Sequence, residues 1–319
     1  MRVLVTGATG FLGRRCLSLL VDNGMDPIAT GRRTEAAPTG FRFVAADLAQ
    51  ASTLEALPRV DAIVHCAARS APWGPRTAFE RDNVLATANL LRWAQAQGVA
   101  HFVHISTPAL YFDFRDQWDV GEDQTMTRPI NHYAATKAKA EALVSGAALT
   151  TTILRPRAIY GPGDTALLPR LQRAIEAGPL PLLREGRAQT NLTHVDDVCG
   201  AILAALTTSK PKSRICNIAG KERVALRAVV EQIAQSQALR LRWRSLPVPL
   251  VLGAASALEG VYAGLRLAGE PAFTRYSVGI FAYTLTLDTA RARADLGWKP
   301  QVGLEQGIEQ TLAAQARFP

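Results

Sequence analysis

Residues 1–20 read MRVLVTGATGFLGRRCLSLL: an apolar run of strand length over Val3–Thr6 breaks into glycines at positions 7, 10 and 13, and helical spacing follows over Leu12–Leu20. A helix that starts directly after a strand presents unpaired N–H groups and the positive end of its dipole, which together attract a phosphate. Gly7 permits the tight turn, Gly10 lets a pyrophosphate approach the backbone, and Gly13 lets the helix pack close to the strand. The spacing is G-x-x-G-x-x-G, and its place at the first turn of a βαβ unit makes a dinucleotide the expected occupant.

The same rhythm continues outward from that turn. Strand-length apolar runs recur at Pro27–Thr30, Phe41–Ala45, Ala62–Cys66, Phe102–Ser106 and Thr151–Leu154, with helical stretches such as Val84–Ala96 between them. Gly24 and Gly98 stand where helices end in a left-handed turn. The pattern predicts an α/β fold: a Rossmann-type doubly wound parallel sheet over 1–155, completed by chain returning around 189–217. After LRPRAIYGPGD the prolines at 156, 162, 169, 179 and 181 shorten the elements, and 156–319 is expected to form mainly a smaller substrate lobe.

With 319 residues, 48% of them hydrophobic, the chain can bury one large core or two connected ones. The net charge of +9 is carried mostly by arginines spread as singles and pairs, a solvated basic surface and not a nucleic-acid footprint. Cys16, Cys66, Cys199 and Cys216 are far apart and lie in apolar segments, as buried reduced thiols do. Strand-like sequence starts at Val3, leaving no room ahead of it for a signal segment, so a cytoplasmic setting is the expectation. No metal site is expected; His101 and His104 point to opposite faces of one strand, and Asp196-Asp197 read as helix caps.

The end of the second strand reads IATGRRTE, with Arg32 and Arg33 and no acid. An acid there would bind both ribose hydroxyls, whereas arginines welcome a 2′-phosphate, so NADP(H) is the expected cofactor and NAD(H) the alternative. Asp47, beside Leu48, is placed to hold an adenine amino group, and the small residues of HCAA (Cys66, Ala67, Ala68) let a cofactor pass close. In NHYAATKAKAE, Tyr133 and Lys137 lie four apart on one helix face, after the fifth strand, at the sheet edge where such folds bind ligands. His132 beside them reads as a substrate neighbour or a loop histidine.

Taken in order, TGATGFLG, HCAA, Asn83 in RDNVLAT, YAATKAKAE, LRPRAIYGPGD, NLTHVDDV and RARADLGWKP resemble the extended short-chain dehydrogenase/reductases of the NAD(P)-dependent epimerase/dehydratase superfamily, over essentially the whole chain. The resemblance implies that Tyr133 exchanges a proton with the substrate oxygen. It implies too that Lys137 binds the nicotinamide ribose and lowers the tyrosine pKa, and that Thr107, in the place usually held by serine, bonds the same oxygen. It also implies cofactor contacts from Thr9, Phe11, Leu12, Asn83, Pro156 and Ile159.

Within that superfamily, sugar-nucleotide epimerases typically carry a diphosphate-binding arginine where this chain has Thr190, which weakens that alternative. APWG, NLTHVDDV and the stretch from Ser245 to Asp288 are instead similar to the 3β-hydroxysteroid dehydrogenase-like branch. The resemblance implies hydride transfer between the nicotinamide and a ketone or secondary alcohol of a steroid-like or long-chain β-keto acid substrate. Residues 246–268, charged only at Glu259 and Arg266, read as a dry pocket wall or a core helix, with peripheral membrane contact a further use. A homodimer is the family's expectation, and a non-catalytic NADP(H)-binding regulator is the alternative from outside enzymology.

Overall fold

The computed structural model describes residues 1–126, 128–208 and 212–317. Seven strands, β1 (Arg2–Thr6), β2 (Asp26–Gly31), β3 (Arg42–Ala45), β4 (Ala62–His65), β5 (His101–Ile105), Thr150–Pro156 and Arg214–Ile218, form one parallel sheet. Their spatial order is Arg214–Ile218, Thr150–Pro156, β5, β4, β1, β2, β3. The order reverses between β1 and β4, which opens a crevice at the carboxyl ends of the strands.

The pleat explains why β1 is apolar throughout. Val3 and Val5 face Cys16, Leu17 and Leu20 of helix α1 (Phe11–Asp22), with Val198 and Ile202 of the helix Val195–Thr207 in the same core. Leu4 faces the opposite core, with Ile28, Ile63, Leu90, Phe102 and Val144. All three β1 side chains are inaccessible to solvent, and each such burial contributes about 1.5–3 kcal/mol. Gly24 and Gly98 adopt φ +70° and +67°, the left-handed turns that return the chain to the sheet.

The lobe is built on a second sheet in the order Arg223–Ala225, Gln189–Asn191, Leu285–Leu287, Gln117–Val120. Its last strand comes from the span assigned to the nucleotide-binding half. After β5 the chain leaves the main sheet, and Gln117 N donates to Thr284 O at 2.9 Å. The strand Arg214–Ile218 then pairs with Thr150–Pro156 at the edge of the main sheet.

Two expectations change here. The cap of the helix Val195–Thr207 is His194, whose Nδ1 accepts from Asp196 N at 3.3 Å. Asp196 and Asp197 occupy the first turn, where the helix dipole still favours them, but they act as fasteners. Asp197 accepts from Gln301 N at 2.7 Å and from Val302 N at 3.3 Å, and Asp196 pairs with Arg15. The apolar stretch 246–268 is not a core helix. In the helix Val248–Gly264 only Val248 and Ala255 are buried, packed with Leu183, Val278 and Ala282, while Leu250 is 63% exposed. One narrow stripe suffices to attach the helix, so the rest of its apolar surface faces outward. Among the described residues no helix is long and apolar enough to cross a membrane.

Candidate active site

At the β1–α1 turn, Gly7 adopts φ +65°, and a Cβ there would stand 2.7 Å from Ala67 N, so the HCAA segment crosses directly over it. A Cβ on Gly13 would overlap the Gly7 carbonyl oxygen, which fixes how closely α1 sits under the turn. Gly10 caps α1; no side chain caps that end and its first turn carries no acid. The arrangement fits a pyrophosphate, which would take up the N–H groups around Phe11, Leu12 and Gly13. Thr9 packs beside Gly31 at the end of β2, Cys66 and Ala67 are half-buried and Ala68 is exposed.

Beyond β2, Arg32 and Arg33 are exposed, and an acid does approach them, from a segment distant in sequence. Arg32 Nη1 lies 3.6 Å from Asp82, which also pairs with Arg69 and Arg81, while Arg81 holds Asp47. Three guanidinium groups around two carboxylates leave the corner basic. Asp47 is therefore also held by protein, accepting from Ala49 N at 3.1 Å. The Leu48 side chain turns into the core with Leu54 and Ile63, because the loop keeps the alternation of the strand before it.

Asn83 sits in a π-helical turn (Glu80–Leu85), and both its amide donors are used, to Arg69 O at 3.1 Å and Thr136 Oγ1 at 2.9 Å. Its oxygen accepts from Arg69 N at 2.7 Å. This side chain clamps the loop after β4 to the helix carrying Tyr133 and does not offer a free donor to a cofactor.

That helix, His132–Ser145, begins at His132, so this histidine is helical and not in a loop. Asn131 caps it, its side chain accepting from Ala134 N at 2.8 Å. Tyr133 and Lys137 thereby face the end of β5. Thr107, in extended backbone after β5, lies close enough to the Tyr133 phenol to lower its pKa, and its Oγ1 accepts from Ala109 N at 3.2 Å. Ser106 points the other way, with its Oγ buried and unpartnered. Burial pushes the phenol up to about 12, and Thr107 pulls it partly back.

Lys137, one turn beyond Tyr133, is buried. Its Nζ donates to Ile105 O at 2.5 Å and meets His104 Nε2 at 3.1 Å. Burial is the main cause that lowers this amine to about 8, against the pull of Glu141. Beneath it His65 is lowered to about 3, first by burial and then by the Lys137 charge, and it bridges Thr6 Oγ1 at 2.7 Å and Thr87 Oγ1 at 3.0 Å. Two neutral imidazoles thus form the floor under the lysine.

The lowered Lys137 value has a sign that can be checked. Between about 8 and its ordinary 10.5 the unfolded chain holds the proton that the folded chain has released, so stability rises with pH across that window. Wild-type unfolding free energy measured from pH 8 to 10.5 is expected to climb relative to Lys137→Met; parallel curves would contradict the assignment.

Several functional groups carry no motif. Two residues of LRPRAIYGPGD are buried arginines: Arg155 pairs with Glu141, and Arg157 Nε donates to Thr190 Oγ1 at 2.9 Å. Pro156 between them pairs with Ile218, and Ile159 pairs with Thr193. Tyr276, from the helix Arg275–Ala282, stands edge-on to Phe112 at 6.0 Å and acts electrostatically on both Tyr133 and Arg157. The signal for Glu141 was available, since it lies one turn beyond Lys137 on the same helix face. Among the described residues no cluster of His, Cys, Asp and Glu could hold a metal ion, and all four cysteines are free thiols.

A model of the NAD dependent epimerase/dehydratase family matches residues 3–219. The chain is 35% identical to "Uncharacterized protein YbjS" of Escherichia coli (strain K12), over 98% of this chain and 97% of that one. It is 32% identical to 4-hydroxy-2-methyl-3-oxo-4-farnesyl-3,4-dihydroquinoline-1-oxide ketoreductase of Stigmatella aurantiaca, over 97% and 95%. With 2-alkyl-3-oxoalkanoate reductase of Stenotrophomonas maltophilia (strain K279a) it shares 30% identity over 99% and 100%. Among solved structures, MoeE5 in complex with UDP-glucose and NAD superimposes with a TM-score of 0.78 at 26% identity, covering 99% of each chain.

Proposed function

The chain belongs to the NAD dependent epimerase/dehydratase family and is an NAD(P)-dependent enzyme of the short-chain dehydrogenase/reductase type, and from that premise we propose that it reduces the ketone of an apolar substrate with NADPH. The observation that carries the reading is the hydroxyl pair of Tyr133 and Thr107 at the carboxyl edge of the sheet. The phenol is protonated near neutral pH, so it is placed to give a proton to a carbonyl oxygen. Thr107 supports the same oxygen. When bound, the dinucleotide supplies the hydride. Two of the three Lys137 donors are engaged by Ile105 and His104, leaving one for a ribose hydroxyl.

Support for an apolar substrate comes from the two reductases at 30% identity or more. The test is NADPH oxidation across ketosteroids, long-chain β-keto acids and UDP- or dTDP-hexoses. Turnover confined to the apolar ketones is expected. Activity with a nucleotide sugar alone would replace this reading by an epimerase-like one, and silence with tight NADPH binding would point to a regulator.

The cofactor preference rests on the basic corner at Arg32 and Arg33. Arg32→Glu is expected to lower the NADPH-over-NADH ratio of kcat/KM by roughly 10- to 100-fold, the value of one charged hydrogen bond. Equal use of both cofactors by the wild type would overturn the preference.

A further inference from the structure

Two arginines lie two residues apart at the end of the same strand, both buried, and the structure treats them differently. Arg155, 2% exposed, meets the Glu141 carboxylate through Nε at 2.8 Å and Nη2 at 2.5 Å. Arg157 is 5% exposed, yet among the described residues no carboxylate lies within ion-pair distance of it. Its Nε is spent on Thr190 Oγ1, and its backbone is pinned at both ends: N to Ile218 O at 2.9 Å, and O accepting from the Thr193 hydroxyl. Neither terminal nitrogen is among the sealed, unpartnered polar atoms of the interior, so the guanidinium tip borders open space. Burial disfavours its charge, with the nearby Tyr276 phenol opposing that effect.

A buried cation without an anion is costly, and a fold that fastens one in place leaves it ready for an anion from outside. The strand register shows where that space lies: Ile105 and Leu154 are partners in neighbouring strands, so Thr107 and Arg157 leave the carboxyl edge of the sheet side by side, and Arg157 shares its strand face with Arg155, whose partner Glu141 is on the helix of Tyr133. The cofactor's own anions have other seats, the pyrophosphate at the glycine turn and a 2′-phosphate at Arg32. Thr190, the position at which sugar-nucleotide relatives carry a cation, here only orients Arg157. One guanidinium with a planar pair of free N–H edges matches a carboxylate, whereas a diphosphate carries twice that charge.

We propose that Arg157 is a specificity-determining residue that binds the carboxylate of a 3-oxo acid, so that the ketone reduced at Tyr133 belongs to an acid and not to a neutral molecule. The assignment rests on the reductase reading above and narrows its substrate class.

The experiment compares initial rates of NADPH oxidation with freshly saponified 3-oxodecanoate and with its methyl ester, in wild type, Arg157→Gln and Arg157→Lys. Beside it runs calorimetric titration of the NADPH-bound wild type with 3-hydroxydecanoate, its methyl ester and UDP-glucose. The wild type is expected to favour the acid in kcat/KM by roughly 10- to 100-fold, mostly through KM. In Arg157→Gln the two rates should converge, with Arg157→Lys between. Equal rates for acid and ester in the wild type, or an equal loss of both in Arg157→Gln, would overturn the proposal. If no ketone is turned over, the reductase reading fails, and calorimetry still decides the anion site. Binding of the hydroxy acid but not its ester upholds the site, and binding of UDP-glucose alone reassigns it to a diphosphate. The wild-type measurements stand even if a variant does not fold.

Discussion

Tyr133→Phe is expected to cut ketone reduction by roughly 10²- to 10⁴-fold, the usual worth of a positioned general acid, while the NADPH dissociation constant stays within about twofold. The substitution removes one oxygen from a side chain whose ring remains packed. The lost group is the proton donor, and Thr107 cannot replace it, because an alkyl hydroxyl is a far weaker acid than a phenol. The loss should fall on kcat more than on KM, since the proton moves only in the transition state. Thr107→Val should act in the same direction with a smaller effect, and Thr107→Ser should restore the rate. Single-turnover kinetics with saturating NADPH separates the chemical step from cofactor binding. Full activity in Tyr133→Phe would mean that the proton comes from elsewhere, and would remove the central element of the proposed function.

Glu141→Gln should be the most damaging conservative change to stability, costing about 3–5 kcal/mol. Arg155 and Glu141 are 2% and 3% exposed and bonded in a two-pronged pair. Arg155 also donates to the Tyr111 hydroxyl, which donates in turn to Asn217 Oδ1 at 3.1 Å. Glutamine keeps the shape but leaves a full positive charge in the interior with no counter-charge. The midpoint of thermal unfolding is expected to fall by roughly 10 °C. Because the cost is the unpaired charge and not the missing contact, Glu141→Gln combined with Arg155→Met should recover part of it. A loss below about 1 kcal/mol in Glu141→Gln would mean that water or a neighbouring group reaches Arg155 when its partner is neutral. The pair also ties the helix of Tyr133 and Lys137 to the strand that leads into Arg157, so its loss is expected to disturb both sides of the site.

The glycine spacing, the apolar strand runs and the helical register of Tyr133 and Lys137 were legible in the sequence, because each depends on local chain chemistry. A left-handed turn needs glycine, a two-sided central strand needs continuous apolar residues, and a four-residue interval puts two side chains on one helix face. Side chains whose partners lie tens of residues away were not legible in this way. Asn83 closes its amide on Arg69 and Thr136. The amine of Lys137 meets Ile105 O and His104 Nε2. The acids at 196 and 197 were expected to cap a helix that His194 caps. In LRPR the two arginines look alike as letters; one finds Glu141 and the other only Thr190. Sequence alone determined the sheet, its glycine turn and the helix face that Tyr133 and Lys137 share. Which buried charges are satisfied, and which is left facing open space, was decided only by the tertiary structure, because the desolvation cost of a charge depends on what other segments bring to it.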